Sequence, residues 1–151
     1  MKNMDKEQAR NLLLSILQAH STFRTVVQRT IAKLDNNITF EMMQILVELW
    51  KKDGINQQEL ADKTFKDKSS LSYLISNLEK RDLVIRCEDT QDRRNKRIML
   101  TDAGRELQNQ YTPILQDVYS QMAEQLDSTT VDFVVSYMKD LNHIISQINL
   151  K

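Results

Sequence analysis

Leu12, Leu13, Ile16, Leu17, Phe23, Val26, Val27, Ile31 and Leu34 recur at steps of three and four, the stripe of an amphipathic helix. Neither Gly nor Pro interrupts it, so the pattern predicts one helix of about 30 residues, broken at Asn36 and Asn37. Phe40, Met43, Leu46, Val47 and Trp50 predict a second, shorter helix, with Thr39 as its N-cap and Gly54 as its terminator. Asn56-Gln57-Gln58-Glu59 has the form of a capping box. It opens a short helix that carries Leu60 and Ala61 and stops near Thr64. After a turn over Phe65–Asp67, Asp67 caps a further helix with the stripe Leu71, Leu74, Ile75 and Leu78. Two short helices across a tight turn form a helix-turn-helix pattern.

The face of that last helix opposite its apolar stripe carries Ser69, Ser72, Tyr73, Ser76 and Lys80, small or hydroxyl-bearing and free of acids. Such side chains can approach phosphates and base edges closely, whereas an ordinary solvated face is richer in Glu and Lys. After Arg81 the period shortens. Leu83–Glu88 and Arg97–Leu100 are short and rich in β-branched residues, and Asp89–Lys96 between them is wholly polar. This predicts two antiparallel strands joined by a long basic loop. Arg93, Arg94, Lys96 and Arg97 put four cations in five positions, which repel one another unless an anion answers them.

Thr101 is expected to cap a helix with interior positions Ala103, Leu107, Tyr111, Ile114, Leu115, Val118, Met122 and Leu126, bent at Pro113. The final stripe is Val131, Val134, Val135, Met138, Leu141, Ile144, Ile145 and Ile148, behind a Ser128-Thr129-Thr130 cap. The first helix would be about 45 Å long, against a diameter of roughly 38 Å for a compact chain of this size. Its stripe and the final one both run to their ends. Apolar faces that one subunit cannot cover predict a second subunit, joined through the first and last helices.

Composition narrows the chemistry. Two Gly and one Pro stand in 151 residues, where average usage would give about 18. That is too few turn formers for a sandwich or barrel, and no Gly-rich phosphate cradle can be built. A single cysteine, Cys87, excludes an intrachain disulfide and a Cys-rich zinc site, and His20 and His143 stand in no metal-binding motif. With no legible nucleophile–base pair, the chain is not expected to be an enzyme or to need a cofactor or metal. No apolar run exceeds three residues and Met1–Arg10 mixes both charges. Neither a membrane span nor a signal peptide is therefore expected, and a lone free thiol fits a cytoplasmic protein. Lys plus Arg equal Asp plus Glu at 21 each, yet the charge is segregated. Lys63–Arg97 holds ten basic and six acidic residues, a net +4, leaving −4 for the rest.

Several segments stand at a spacing that identifies a family. They are Gln57-Gln58-Glu59-Leu60-Ala61, Asp67-Lys68-Ser69-Ser70-Leu71-Ser72 and Leu78-Glu79-Lys80-Arg81-Asp82-Leu83-Val84. The most specific is Asp92-Arg93-Arg94-Asn95-Lys96-Arg97-Ile98-Met99-Leu100-Thr101, followed by Gly104. From about Thr39 to Leu107 the chain resembles the MarR family of bacterial transcription regulators. The resemblance implies a mainly α fold with a small β-wing. It implies a winged helix-turn-helix over residues 37–101, a helical dimerisation region from 1–36 and 127–151, and a connecting helix over 102–126. It also implies a homodimer that binds a pseudo-palindromic operator in double-stranded DNA, and a ligand-responsive repressor is expected. The recognition helix would enter the major groove with Lys68, Ser69, Ser70, Ser72, Tyr73, Ser76 and Lys80. The wing would meet the minor groove with Asp92, Arg93, Arg94 and Lys96, Arg94 matching the family's inserting arginine and Asp92 the acid that orients it. Two residues depart from the pattern. Asp82 stands where Gly is common, at a cost of about 1 kcal/mol if the backbone is left-handed there. Tyr73 stands where many members carry Arg, so the operator sequence does not follow from family habit.

The resemblance further implies a small anionic or phenolic effector at the junction of the dimer and DNA-binding regions. His20 and Arg24, with Phe23 beside them, and Tyr111 would line an anion-accepting crevice. Oxidant-sensing relatives use a cysteine in the first helix, which this chain lacks; Cys87, beside Arg86, reads as an ordinary strand residue. A reading from another class also stands: a winged-helix protein-interaction module that has lost specific DNA binding. The neutral net charge and Tyr73 point that way.

Overall fold

The computed structural model describes residues 3–34 and 37–149. Its elements in chain order are α1 (Lys6–Ile31), α2 (Phe40–Lys51), β1 (Ile55–Asn56), α3 (Gln57–Lys63), α4 (Lys68–Glu79), β2 (Val84–Glu88), β3 (Lys96–Leu100), α5 (Asp102–Ala123) and α6 (Ser128–Ser146). The chain divides into two compact units, Met1–Ile114 and Leu115–Lys151. The first holds the winged helix-turn-helix.

α1 begins at a capping box that the sequence reading missed. The Asp5 carboxylate accepts the Gln8 N–H at 2.8 Å, and the Gln8 side chain accepts the Asp5 N–H at 3.1 Å. The helix has 26 residues, shorter than expected, and ends at Ile31. Of the two residues expected to break it, Asn36 lies outside the described residues and Asn37 has a left-handed φ of 53°. Val27 and Ile31 are buried, but Leu13, Leu17 and Val26 of the same stripe are exposed. The Gln28 side chain ties α1 to the start of α2, accepting the Phe40 N–H at 2.7 Å.

α2 is the centre of this unit. Thr39 caps it as predicted, accepting the Met42 N–H. Phe40, Met42, Met43, Ile45, Leu46 and Leu49 are all buried, more of the helix than one stripe would cover, as befits a helix surrounded by others. It stops at Lys51, and Gly54 at φ 69° turns the chain into β1. β1 was not predicted, because two residues are too short to show alternation. It completes an antiparallel sheet in the order β1-β3-β2. Ile55 faces Ile98 and Asn56 faces Arg97, while β2 and β3 pair from Val84–Leu100 to Glu88–Lys96. The predicted wing strands are therefore present.

α5 corrects three expected interior positions, Ala103, Met122 and Leu126. Ala103 is exposed, and its neighbour Gly104 makes the contact instead. A Cβ on Gly104 would stand 2.1 Å from the Leu83 carbonyl oxygen. The Trp50 indole N–H donates to the Gly104 carbonyl at 2.9 Å, and fully buried Tyr111 packs on Trp50 at 6.0 Å between ring centroids. Asp53 completes this junction, accepting the Leu100 N–H at 2.8 Å and pairing with Arg105 at 3.2 Å. The helix runs on through Pro113. Met122 and Leu126 are exposed, and Leu126 lies beyond the helix end.

In the second unit, Asp127 caps α6, rather than the three hydroxyl residues that follow it. Its carboxylate accepts both the backbone N–H and the hydroxyl of Thr130 at 2.8 Å, which holds its pKa below the ordinary aspartate value. No residue of α6 is buried; Phe133, Val135 and Ile144 are open to solvent, and Ile148, expected on the same stripe, is exposed beyond the helix end. No described helix is long and apolar enough to cross a membrane.

Candidate nucleic-acid interface

The helix-turn-helix is α3, a turn and α4. Asn56 caps α3 by accepting the Gln58 N–H at 2.7 Å. Glu59 pairs with Lys52 at 3.5 Å instead of closing the expected reciprocal box. Thr64 closes α3, its buried hydroxyl donating to the Leu60 carbonyl at 2.7 Å. Phe65 then takes a left-handed φ of 54° and leaves its ring 94% exposed. Asp67 caps α4 as predicted, accepting the Ser70 N–H at 2.8 Å and the Ser70 hydroxyl at 2.6 Å. Those bonds, the Ser70 hydroxyl's first, keep the Asp67 carboxyl below its ordinary range. The same carboxylate brings negative charge to the helix start, so a phosphate is not invited there by the dipole alone.

Leu71, Ile75 and Leu78 turn into the core, and Lys68, Ser69, Tyr73 and Lys80 point outwards. The remaining predicted positions are engaged with the protein itself. Ser70 serves the cap. Ser72 and Ser76 are half-buried and meet Arg86 from β2. The Arg86 guanidinium donates to the Ser72 carbonyl at 2.9 Å, to the Ser72 hydroxyl at 3.3 Å and to the Ser76 hydroxyl at 3.3 Å. It also pairs with Glu79, which in addition accepts the Arg86 backbone N–H at 3.1 Å. Sequence reasoning missed this cluster, because no local spacing rule links a helix residue to a strand residue across the intervening turn. Asp82, between them, is left-handed at φ 54°, as the departure from Gly predicted.

The wing loop between β2 and β3 is held by its own acids. The Asp92 carboxylate accepts the Arg94 backbone N–H at 3.0 Å and the Asn95 side-chain amide at 3.3 Å. Asp89 accepts the Gln91 N–H at 2.9 Å. Asp92 thus shapes the backbone under Arg94, and no ion pair between the two side chains is present among the described residues. Arg93 and Arg94 are exposed, and Lys96 lies 3.7 Å from Glu88. Wing and helix-turn-helix meet in a cleft of about 120 Å³, lined by Gln57 and Ala61 of α3, Lys68 and Leu71 of α4, and Arg94 and Lys96. Three predicted cations from two separate segments therefore share one concavity.

The residues expected to line an effector crevice are occupied differently. His20 and Phe23 both pack edge-on against Phe40, at 6.2 and 5.9 Å. Arg24 donates to Glu41 at 2.7 Å. Burial alone would raise the Glu41 carboxyl, but the bond from Arg24, with the charges of Arg24 and Lys66, brings it below its ordinary value. Lys66 donates to Gln44 at 2.9 Å, and its pKa is lowered by burial. Tyr111 is enclosed beside Trp50. Cys87 is half-buried in β2.

Residues 38–96 match the MarR family model. The transcriptional regulator SarZ of Staphylococcus epidermidis is 27% identical over 110 residues, covering 73% of this chain and 71% of that protein. Among solved structures, AbsC, a MarR family transcriptional regulator from Streptomyces coelicolor, superposes with a TM-score of 0.80 at 21% identity, over 97% of this chain and all of its own. S. aureus MepR in complex with DNA gives 0.75 at 24% identity, over 88% of this chain and 96% of its own. The matched residues run from the start of α2 through the helix-turn-helix to the end of the wing loop, and over them this chain is similar to the MarR family.

Proposed function

We propose that this protein is a transcriptional regulator that binds double-stranded DNA sequence-specifically as a homodimer, in the manner of a repressor. The observation that carries the reading is the wing. Arg93 and Arg94 stand exposed on a loop whose backbone is pinned by Asp89 and Asp92. A preordered loop loses less entropy when it meets a ligand, and a guanidinium suits the negative potential of a narrow minor groove. The outward face of α4, with Lys68, Ser69, Tyr73 and Lys80, fits the major groove beside it. Exposed apolar residues on α1 (Leu13, Leu14, Leu17) and on α6 (Phe133, Val135, Ile144) supply the surface for a two-fold dimer. Such a dimer sets two recognition helices about one DNA turn apart, on a pseudo-palindromic site. An anionic effector reaching Arg24 would have to displace Glu41, so release by ligand would begin with that ion pair.

A second reading rests on two aromatic rings on the helix-turn-helix, Phe65 at 94% and Tyr73 at 69% exposure, which suit a protein partner. Fluorescence anisotropy separates the two. The protein is titrated with duplex from upstream of its own gene and with random duplex across a salt series, with Arg94→Ala alongside. The regulator reading expects preference for one duplex and a fall of roughly 10³ to 10⁵ in affinity between 50 and 200 mM salt. It expects Arg94→Ala to weaken binding strongly while the unfolding temperature stays in place. Selection from random DNA covers an operator that lies elsewhere. Weak, salt-insensitive association with every duplex, selected pools included, would favour the protein-docking reading.

A further inference from the structure

The least expected polar cluster lies behind the recognition helix. Ser72, Ser76 and Glu79 follow one another at steps of four and three, so they share one face of α4. The Arg86 guanidinium reaches all three, and Arg86 is part of β2, which pairs with β3 at the base of the wing. One side chain therefore joins the recognition helix to the strand that carries the wing.

The apolar contacts of Leu71, Ile75 and Leu78 hold α4 in the core, but apolar burial is non-directional. It fixes depth better than rotation. A planar fork bonded to successive turns of the helix does fix rotation. The sensitivity is high: a turn of about 10° about the helix axis moves a side-chain tip some 6 Å from that axis by about 1 Å. That is enough to misplace a hydrogen bond to a base edge. The side chains of Arg86 and Glu79 are 23% and 31% exposed, so their bonds are partly shielded from water.

We propose that Arg86 is a positioning residue for DNA recognition, setting the rotation of α4 against the wing through Ser72, Ser76 and Glu79. The two serines then act through the helix they hold and not as base contacts. This inference rests on the DNA-binding reading.

The test compares wild type with Arg86→Lys on two probes, a duplex selected from a random pool by the wild-type protein and an unselected random duplex, across a salt series. Lysine keeps the charge but cannot bridge three turns with a fork. The expected result is a loss of about tenfold or more on the selected duplex relative to the random one, with the salt slope unchanged. Equal weakening on both duplexes with a slope reduced by about one would make Arg86 a phosphate contact and overturn the proposal. Wild-type behaviour of Arg86→Lys would overturn it as well. Glu79→Gln, which keeps the shape and an acceptor, gives the second arm should Arg86→Lys fail to fold. It is expected to lose selectivity in the same direction by a smaller factor, and unchanged selectivity in folded Glu79→Gln refutes the brace. If the wild-type protein enriches no duplex from the pool, the DNA-binding reading fails first, and that failure is visible before any variant is compared.

Discussion

Gly104→Ala sets two physical effects against each other at one atom. Gly104 lies in the first turn of α5, where alanine is the better helix former by up to about 1 kcal/mol. Helix propensity alone predicts a more stable protein. The added Cβ, however, would stand 2.1 Å from the Leu83 carbonyl oxygen, 3.1 Å from its carbon and 3.2 Å from a Leu100 methyl. The first obstacle is backbone, and that oxygen already accepts the Thr101 N–H at 3.0 Å. Relief requires α5 and the start of β2 to part by more than 1 Å, roughly the gap to ordinary van der Waals contact. Overpacking of this kind costs up to about 3 kcal/mol, and weakening the Thr101 bond adds about 1 kcal/mol. Less the propensity gain, the net loss is about 3 kcal/mol, or roughly 6 to 12 °C in a chain of this size. Trp50 is the sole tryptophan and donates to the Gly104 carbonyl, so urea unfolding followed by its fluorescence reads this junction directly. Protein concentration is held fixed, since assembly would shift the midpoint. The control is Ala103→Gly, an exposed neighbour, which loses only the propensity difference of up to about 1 kcal/mol. A Gly104→Ala protein as stable as wild type, or more so, refutes the reasoning.

Phe65→Gly is expected to raise stability by about 1 kcal/mol in the same assay, because the ring is 94% exposed and its backbone is left-handed; Asp82→Gly should gain less, since Asp tolerates that conformation better. The capping carboxylate of Asp67 has a folded pKa below its unfolded one, so it stabilises above the ordinary aspartate value of about 3.9 and loses that contribution as pH falls through the lower folded value. Asp67→Asn should therefore flatten the fall in unfolding temperature between pH 5 and 2, and an unaltered profile would dismiss the cap as its source. Leu17→Glu places a charge at a residue 64% exposed on α1, so it should leave the monomer folded while shifting sedimentation towards the monomer mass. Unchanged dimer mass would remove α1 from the proposed interface.

Elements whose signals are local were legible in the sequence. The caps at Thr39 and Asp67, the stripe of α4, the two wing strands and the strained turn at Asp82 all follow from the residues within a few positions of one another. What escaped depends on residues far apart in the chain. β1 exists because Ile55 and Asn56 find β3 some 40 positions later. Gly104 displaces Ala103 from the interior because the Leu83 carbonyl arrives there. On the candidate interface, residue types and segments were readable, but the division of labour was not. By spacing alone Ser72 and Ser76 read as free hydroxyls on an outer face, whereas Arg86 lies against both. Asp92 was expected beside the guanidinium of Arg94, and it binds the backbone beneath it. Neither distinction leaves a periodicity to read.

Asn56 belongs to two structures at once: it pairs with Arg97 in the sheet and caps the first helix of the helix-turn-helix. The short link between α2 and α3 therefore has no slack. One residue inserted between Gly54 and Gln57 would either slip the sheet register or strip the cap. The loop from Asp89 to Asn95 is the opposite case, hung from the terminal Glu88–Lys96 pair with its tip in solvent. Doubling its length would cost only about 0.6 kcal/mol in closure entropy. Of the parts facing the candidate interface, the wing is thus the one whose length is free to drift between descendants of this chain, while the spacing from the central helix to the recognition helix is locked.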